Sequence, residues 1–211
     1  IVFICFCLMV LINGSNFIDG LNGLLLKYYL LIFLVIFLNF GHYTDLDSNF
    51  LINLIIILTI ILLLNLFGVI YMGDSGAYLL SLFSGVYLIN FSFNNHHISP
   101  FLIVVLLWYP CFELLFSMIR RFVRKSKTYK PDTGHLHQFI FNFFKKKFKY
   151  KNIIMHFVVS FLINFYNLLI FMIAINFIYN SEILIFIIIF NIFLYTLFYM
   201  FFKKKSQTDN N

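Results

Sequence analysis

Seven stretches of apolar residues run along the chain, separated by short polar segments. They cover residues 1–12, 24–40, 50–67, 77–93, 100–119, 153–179 and 183–202. A helix that crosses a bilayer needs about 20 mainly apolar residues, with about 17–25 acceptable. Six stretches meet that length, and the first does not. We therefore predict an all-α integral membrane protein with about six full transmembrane helices and a partial first helix.

The first apolar stretch does not have the features of a signal peptide. It begins at Ile1 without an initiator Met, a basic flank or a small-residue cleavage site. A helix cut in half is the simpler interpretation. We therefore expect an N-terminal part of the protein to precede residue 1.

Composition excludes a soluble globular protein. Hydrophobic residues make up 62% of the 211 residues and charged residues 11%, against roughly 45–50% and about 25% in ordinary globular domains. The 31 Phe and 13 Tyr bring more apolar surface than an interior of this size can bury. The three cysteines, Cys5, Cys7 and Cys111, lie within apolar stretches, so we expect packing roles and no disulfide.

Positive charge is confined to one side of the predicted membrane topology. Loops 13–23, 68–76 and 120–152, the C-terminal tail and the adjoining Lys27 together hold all 15 Lys and Arg, whereas loops 41–49, 94–99 and 180–182 hold none. The positive-inside rule makes the first set cytoplasmic, including the C-terminus. This asymmetry accounts for the net charge of +7, so we predict no nucleic-acid partner. Residues 1–202 form the transmembrane domain, and 203–211 form a basic polar tail.

Four polar side chains recur at every third position of the first cytoplasmic loop: Asn13, Asn16, Asp19 and Asn22. In a helical or near-helical turn they would form a polar ridge that faces a polar partner. Glycines at positions 14, 20 and 23 permit close backbone approach and left-handed turns. The alternative is an ordinary loop that is rich in turn-forming residues.

A second polar segment, Tyr71-Met72-Gly73-Asp74-Ser75-Gly76, lies between two spans on the same side. A carboxylate at this depth needs a basic side chain or a metal ion as its partner. A single Asp with open neighbours suits Mg²⁺, which takes one or two carboxylates together with phosphates and water. The alternative is an Asp that caps the following helix.

The third polar segment runs from Arg120 to Asn152 and contains His135 and His137. Residues two positions apart share a face only on extended backbone, so the two imidazoles can act together only outside a helix. No third ligand at suitable spacing supports zinc. We expect hydrogen bonding or charge donation to an anionic ligand. Ile140, Phe143, Phe144 and Phe148 then fall at helical spacing with lysines around them, which predicts an interfacial amphipathic helix.

Together these segments predict acidic metal ligands, amide donors, His and Arg on one cytoplasmic face. A diphosphate substrate needs Mg²⁺ and cations to neutralise its phosphates, and donors to fix its leaving nucleotide. A transporter would instead carry broken helices and charges near the bilayer midplane. Glu113, the acid within a predicted span, lies only seven residues before Arg120, near the cytoplasmic end.

At this point the chain resembles a known family, the polyprenyl-phosphate N-acetylhexosamine-1-phosphate transferases (the MraY/WecA superfamily, glycosyltransferase family 4). The similarity covers most of the chain to about residue 140. The matching motifs are, in order, Asn13-x-x-Asn16-x-x-Asp19-Gly20-x-x-Gly23-Leu24, Tyr71-Met72-Gly73-Asp74-Ser75-Gly76, Pro110-x-x-Glu113 with Arg120-Arg121, and Pro131-Asp132-x-x-His135-Leu136-His137.

The resemblance implies an enzyme of the bacterial plasma membrane that transfers a sugar-1-phosphate from a UDP-N-acetylhexosamine to undecaprenyl phosphate and releases UMP. It implies Mg²⁺, with Mn²⁺ as the alternative, membrane lipids as surroundings and a homodimer as an open option. Asp19, Asp74, His135 and His137 would be catalytic, with Asp74 as the metal ligand and Tyr71 against the uracil. The other implied substrate-binding residues are Asn13, Asn16, Asn22, Asn65 and Arg121.

The chain also departs from the family pattern. The paired Asp-Asp motif of an earlier cytoplasmic loop is absent, Asn22 stands where many members have Asp, and Gln138 replaces the last His of a His-x-His-His motif. The pattern is closer to the WecA-like branch. The alternative function is that of a truncated, non-catalytic relative that acts only as an assembly partner.

Overall fold

The computed structural model describes residues 1–40, 45–123, 134–148 and 150–208, with the backbone alone for residues 45–48 and 206–208. Helices account for most of these residues, and the described part contains no strand. The helices are α1 (Val2–Ile18), α2 (Leu24–Phe40), α3 (Asp45–Leu66), α4 (Gly73–Asn94), α5 (Phe101–Leu106), α6 (Trp108–Val123), α7 (Leu136–Lys147), α8 (Asn152–Ile175) and α9 (Ser181–Thr208).

Four of the described helices are long and apolar enough to cross a membrane: Asn49–Leu66, Gly73–Asn94, Asn152–Ile175 and Ser181–Lys205. The apolar helices Val2–Ile18 and Leu24–Phe40 are shorter. Large apolar side chains also stay exposed along these helices, such as Leu38 at 69% and Phe186 at 67%. A soluble monomer rarely leaves such surfaces open to water. The protein is therefore a helical membrane protein, and the number of six full spans stays a prediction.

Two predicted boundaries differ from the structure at the chain's ends. Helix α1 continues past residue 12 to Ile18, because polar residues of its last turns find partners within the bundle. Ser15, for example, is hydrogen-bonded to the Tyr29 hydroxyl at 2.6 Å. Helix α9 continues to Thr208, so residue 203 does not mark the end of a helix.

The predicted span 100–119 is broken at Leu107 into α5 and α6. Pro110 explains the break, because it has no N–H to donate to the carbonyl of Leu106 and its ring crowds that carbonyl. The Tyr28 hydroxyl donates to the Leu106 oxygen instead, at 2.7 Å. Helix α6 packs against α1, whereas α5 packs against α8 and α9. The break therefore lets one span contact both halves of the bundle.

Contacts between helix ends gather the predicted cytoplasmic segments at one end of the bundle, which we call the polar end. Asn16 near the end of α1 donates to Tyr78 in α4 at 3.3 Å, and Gly23 contacts Asn65 near the end of α3. The opposite end is formed by other segments, where Ser99 and Ser181 are hydrogen-bonded at 2.8 Å. Segments 94–99 and 180–182 thus lie together at the end opposite the polar end, and the full membrane topology stays a prediction.

Candidate active site

Asp19 and Asp74 come from different loops and lie close to each other at the polar end. Asp19 follows the last residue of α1, and Asp74 lies in the first turn of α4. Burial raises the pKa of Asp19 to about 7, and the neighbouring charge of Asp74 adds to this increase. Neither carboxylate has a hydrogen bond or ion pair with a described residue. The two acids therefore form a pair with open acceptor positions.

Asp74 does not cap its helix. The N-cap of α4 is Met72, and no side chain makes a capping hydrogen bond there. Gly73, between them, has a φ of 61°, a left-handed conformation that side chains rarely adopt. The carboxylate in the first turn also lies at the positive end of the helix dipole. This geometry favours a ligand-binding Asp over the alternative of a capping residue.

The oxygen atoms of the Asp19–Asp74 pair and of Asn16 are of the kind that a hard divalent cation binds. Besides the two carboxylates, Asn16 contributes an amide whose nitrogen donates to Tyr78 and whose oxygen accepts no hydrogen bond from a described residue. Mg²⁺ prefers oxygen ligands and keeps several positions for water and phosphate. Among the described residues, no group of three or more His, Cys, Asp and Glu side chains is arranged to hold a metal ion by itself. The set therefore fits a partly coordinated Mg²⁺ or Mn²⁺ and does not form a closed protein cage.

Asn65 joins the two loops that carry these acids. Its Oδ1 accepts a hydrogen bond from the Gly23 backbone at 2.6 Å, and its Nδ2 donates to the Ile70 carbonyl at 3.0 Å. The side chain is buried. Both ends of its amide are thus used within the protein, and its place in substrate binding stays a prediction.

Tyr71 is 73% exposed at the polar end. Its hydroxyl lies over Gly68, which has a φ of 70°. An exposed ring that is free of buried packing is available to stack against a planar ligand. Its contact with a uracil base stays a prediction.

His135 is hydrogen-bonded to Glu113, the acid near the end of a predicted span. Its Nδ1 lies 2.9 Å from Glu113 Oε1, and the Tyr195 hydroxyl donates to Glu113 Oε2 at 2.7 Å. All three side chains are buried. Removing one partner would leave a buried polar group unsatisfied, which typically costs about 1–3 kcal/mol. Glu113 and Tyr195 therefore position His135.

His137 lies parallel to His135, with ring centroids 5.5 Å apart. His135 is the extended N-cap of α7 and His137 is the second residue of that helix, so the two imidazoles meet at the start of a helix and not on non-helical backbone alone, as the spacing predicted. Burial lowers the pKa of His137 to about 4, so the ring is neutral at neutral pH. Neither ring nitrogen has a hydrogen-bond partner among the described residues. A Cβ on Gly20 would lie 2.8 Å from Nε2, so a phosphate reaches this nitrogen only if the turn at Gly20 moves.

The remaining predicted site residues lie on the rim of the polar end. Asn13 is exposed and donates to the Met9 carbonyl at 2.8 Å within α1. Asn22 donates its backbone N–H to His156 Nδ1 at 3.2 Å. Arg121 lies in the last turn of α6. The neighbouring Arg120 donates to the Tyr199 hydroxyl at 3.0 Å and to the Gly134 carbonyl. Pro131 and Asp132 of the predicted third motif lie outside the described residues.

Two polar stripes on apolar helices were not predicted. On α8, residues four positions apart face α2, and on α9 a similar stripe faces α6 and α8. The first consists of His156, Ser160 and Asn164, and the second of Asn191, Tyr195 and Tyr199. Spacing of four within an apolar span is a signal that could have identified both stripes.

Comparison with known proteins identifies no relative of this chain. No protein-family model matches the chain, and no curated protein or solved structure matches it. The assignment of the chain to the class of helical membrane proteins therefore rests on the lengths and composition of its own helices.

Proposed function

We propose that the chain is a Mg²⁺-dependent phosphoglycosyl transferase that moves a sugar-1-phosphate from a UDP-sugar to a polyprenyl phosphate and releases UMP. The UDP-sugar is a UDP-N-acetylhexosamine, the acceptor is undecaprenyl phosphate, and the product starts a lipid-linked glycan at the bacterial plasma membrane. The observation that carries the proposal is the Asp19–Asp74 pair, which joins two separate predicted motifs at one end of a membrane bundle.

The reaction exchanges one phosphoanhydride bond for another. An oxygen of the polyprenyl phosphate forms a bond to the phosphorus that carries the sugar, and the bond from that phosphorus to the UMP oxygen breaks. The attacking phosphate is already anionic at neutral pH, so no side chain has to remove a proton. The main obstacle is the repulsion between two anions, which charge neutralisation and in-line positioning overcome.

The residues of the polar end suit these tasks. Asp19 and Asp74 would hold a divalent cation, which supplies charge neutralisation to the phosphates. Asn16 offers an amide oxygen beside the pair, and Tyr71 offers an exposed aromatic face for a base. His137, which is neutral at pH 7, would donate a hydrogen bond to a phosphate but would bring no positive charge to it. His135 is held by Glu113, which fixes its orientation.

UMP release by the full-length protein in detergent tests this function, with undecaprenyl phosphate, Mg²⁺ and a panel of UDP-sugars. We expect Asp74→Asn and Asp19→Asn each to lower turnover by about a hundredfold or more, as loss of a charge-stabilising group does in other active sites. Glu182→Gln is the matched control, because it removes an exposed carboxylate next to Ser181 at the opposite end. Wild-type turnover in Asp74→Asn would contradict the metal role, and no turnover with any UDP-sugar would favour a non-catalytic relative.

Cation binding gives a second, independent measurement. The raised pKa of Asp19 means that its carboxyl is partly protonated at neutral pH, and a bound cation must displace that proton. Affinity for Mg²⁺ should therefore rise as the pH increases through about 7. Asp19→Asn should remove this pH dependence, and an unchanged dependence in that variant would exclude Asp19 as a ligand.

A further inference from the structure

Arg120 joins three elements of the structure at the polar end. It lies in the last turn of α6 and is partly buried. Its guanidinium donates to Ser117 Oγ of the same helix at 3.2 Å, to the Tyr199 hydroxyl of α9 at 3.0 Å, and to the Gly134 carbonyl. The donors of a guanidinium form a rigid planar fork, so one arginine holds several acceptors in a fixed relation to each other. Arg120 thus ties α6 and α9 to the residue that directly precedes His135.

Tyr199 is a buried residue of the long apolar helix α9. A buried phenol needs a partner for its hydroxyl, and Arg120 supplies one. The Tyr199 ring packs edge-on against Phe116 of α6 and Phe139 of α7, with centroids 4.7 Å and 5.5 Å apart. The guanidinium carbon of Arg120 lies 5.6 Å from the centroid of the same ring, within the range of a cation–π interaction. Packing against α6 and α7 therefore fixes the hydroxyl at the position from which it holds Arg120.

The same face of α9 is also linked to the imidazole of His135. Tyr195, one turn before Tyr199, donates to Glu113, and Glu113 is hydrogen-bonded to the imidazole. The rings of the two tyrosines are nearly parallel, with centroids 6.4 Å apart, as residues four positions apart on one helix face allow. One face of α9 therefore holds His135 in two ways, by its ring through Glu113 and by its preceding backbone through Arg120.

We propose that Arg120 and Tyr199 are positioning residues for the two histidines of the candidate site. They fix the carbonyl of Gly134, and with it the direction in which α7 begins. His135 is the N-cap of α7 and His137 is its second residue, so that direction sets where both imidazoles lie. A displacement of about 1 Å in an active site can cost about a hundredfold in rate. The proposal rests on the proposed transferase function and adds a residue of α9 to its site.

A double-mutant cycle on UMP release by the full-length protein tests this role. We expect Arg120→Gln to lower kcat about tenfold or more and Tyr199→Phe about threefold, with the KM for the UDP-sugar changed less than about twofold. In the double variant Tyr199→Phe should add no further loss, because its hydroxyl acts through the guanidinium. Tyr150→Phe is the matched control, because it removes an exposed hydroxyl just before α8. Losses that multiply in the double variant, or a raised KM with unchanged kcat, would overturn the proposal.

Hydrogen–deuterium exchange of the same variants without substrate provides a measurement that needs no activity. The amides of Gln138 and Phe139 donate to the His135 carbonyl at 3.1 and 3.2 Å and close the first turn of α7. The peptide that contains them should exchange about threefold faster or more in Arg120→Gln, and at the wild-type rate in Tyr150→Phe. Unchanged exchange in Arg120→Gln would overturn the positioning role whatever its kcat. A wild type that releases no UMP would instead overturn the proposed function, while the exchange rates still measure the hold on α7.

Discussion

The contribution of Asn65 to the stability of the polar end can be measured directly. Its amide links the Gly23 N–H to the Ile70 carbonyl, and the side chain is only 4% exposed. Water therefore cannot take over both hydrogen bonds when the amide is removed. Asn65→Leu replaces the amide with an apolar group of similar size and leaves both backbone groups without that partner.

The expected loss follows from the burial of each hydrogen bond. A buried polar group that is left unsatisfied costs about 1–3 kcal/mol, whereas an average hydrogen bond contributes about 0.5–1.5 kcal/mol. The bond to Gly23 is buried and the bond to Ile70 is partly buried. We expect Asn65→Leu to lower the free energy of unfolding by about 2–4 kcal/mol. Asn65→Asp should be at least as destabilising, because it buries a carboxylate and sets an acceptor against the Ile70 carbonyl.

Unfolding in mixed micelles of a mild detergent and sodium dodecyl sulfate, followed by far-ultraviolet circular dichroism, measures these differences. The control is Asn53→Leu, which changes an exposed Asn of the same helix and should alter stability by less than about 0.5 kcal/mol. The reasoning is refuted if Asn65→Leu is no more destabilising than Asn53→Leu. Full stability with lost UMP release would instead make Asn65 a direct substrate ligand.

Two further predictions concern other packed positions. His137 has its pKa lowered from 6.5 to about 4 by burial, so the unfolded chain binds its proton first as the pH falls. The contribution of His137 to stability should be complete above about 6.5 and decline by about 3 kcal/mol as the pH falls to about 4, whereas protonation of Asp19 stabilises the folded chain over the same range. The difference in unfolding free energy between the wild type and His137→Met, measured at several pH values, should therefore show this slope. At Gly14, a Cβ would overlap the Pro110 carbonyl, so Gly14→Ala should cost about 1–3 kcal/mol in the same assay. In Gly76→Ala, the added Cβ meets only the flexible side chain of Met72. This variant should be neutral or gain up to about 1 kcal/mol of stability from helix propensity. Equal losses of stability in the two alanine variants would contradict the close approach of α1 and α6.

The helices were predictable from the sequence because their lengths depend on a local quantity, the run of apolar residues. Helix α2 has the predicted bounds of 24–40, and α7 forms where apolar residues recur at helical spacing among lysines. The end of α1 was not predictable in this way. Its last turn contains residues that favour loops, and a hydrogen bond from the distant Tyr29 stabilises them in helical form.

The sequence predicted that the loops of the candidate site share one end of the bundle, but not which of their side chains meet. The loops of Asp19 and Asp74 were expected on one face, yet no local pattern indicates that these two carboxylates meet. Their approach depends on how α1 packs against α4, where Gly85 leaves room for the side chains of Leu8 and Leu11. Such packing is a property of two surfaces 50 or more residues apart, which periodicity along one helix does not encode.

The two carboxylates differ in a way that bears on their chemistry. Asp74 lies at the N-terminus of α4, where the helix dipole stabilises negative charge, whereas Asp19 follows the C-terminus of α1, where the dipole has the opposite sign. Asp19 also has partial burial and a like charge beside it, and its pKa is raised to about 7. A structural carboxylate pair would be stabilised by a basic side chain, and no described Lys or Arg forms an ion pair with either acid. A divalent cation between them would reduce the repulsion between the two carboxylates, which is how the proposed Mg²⁺ role fits this pair.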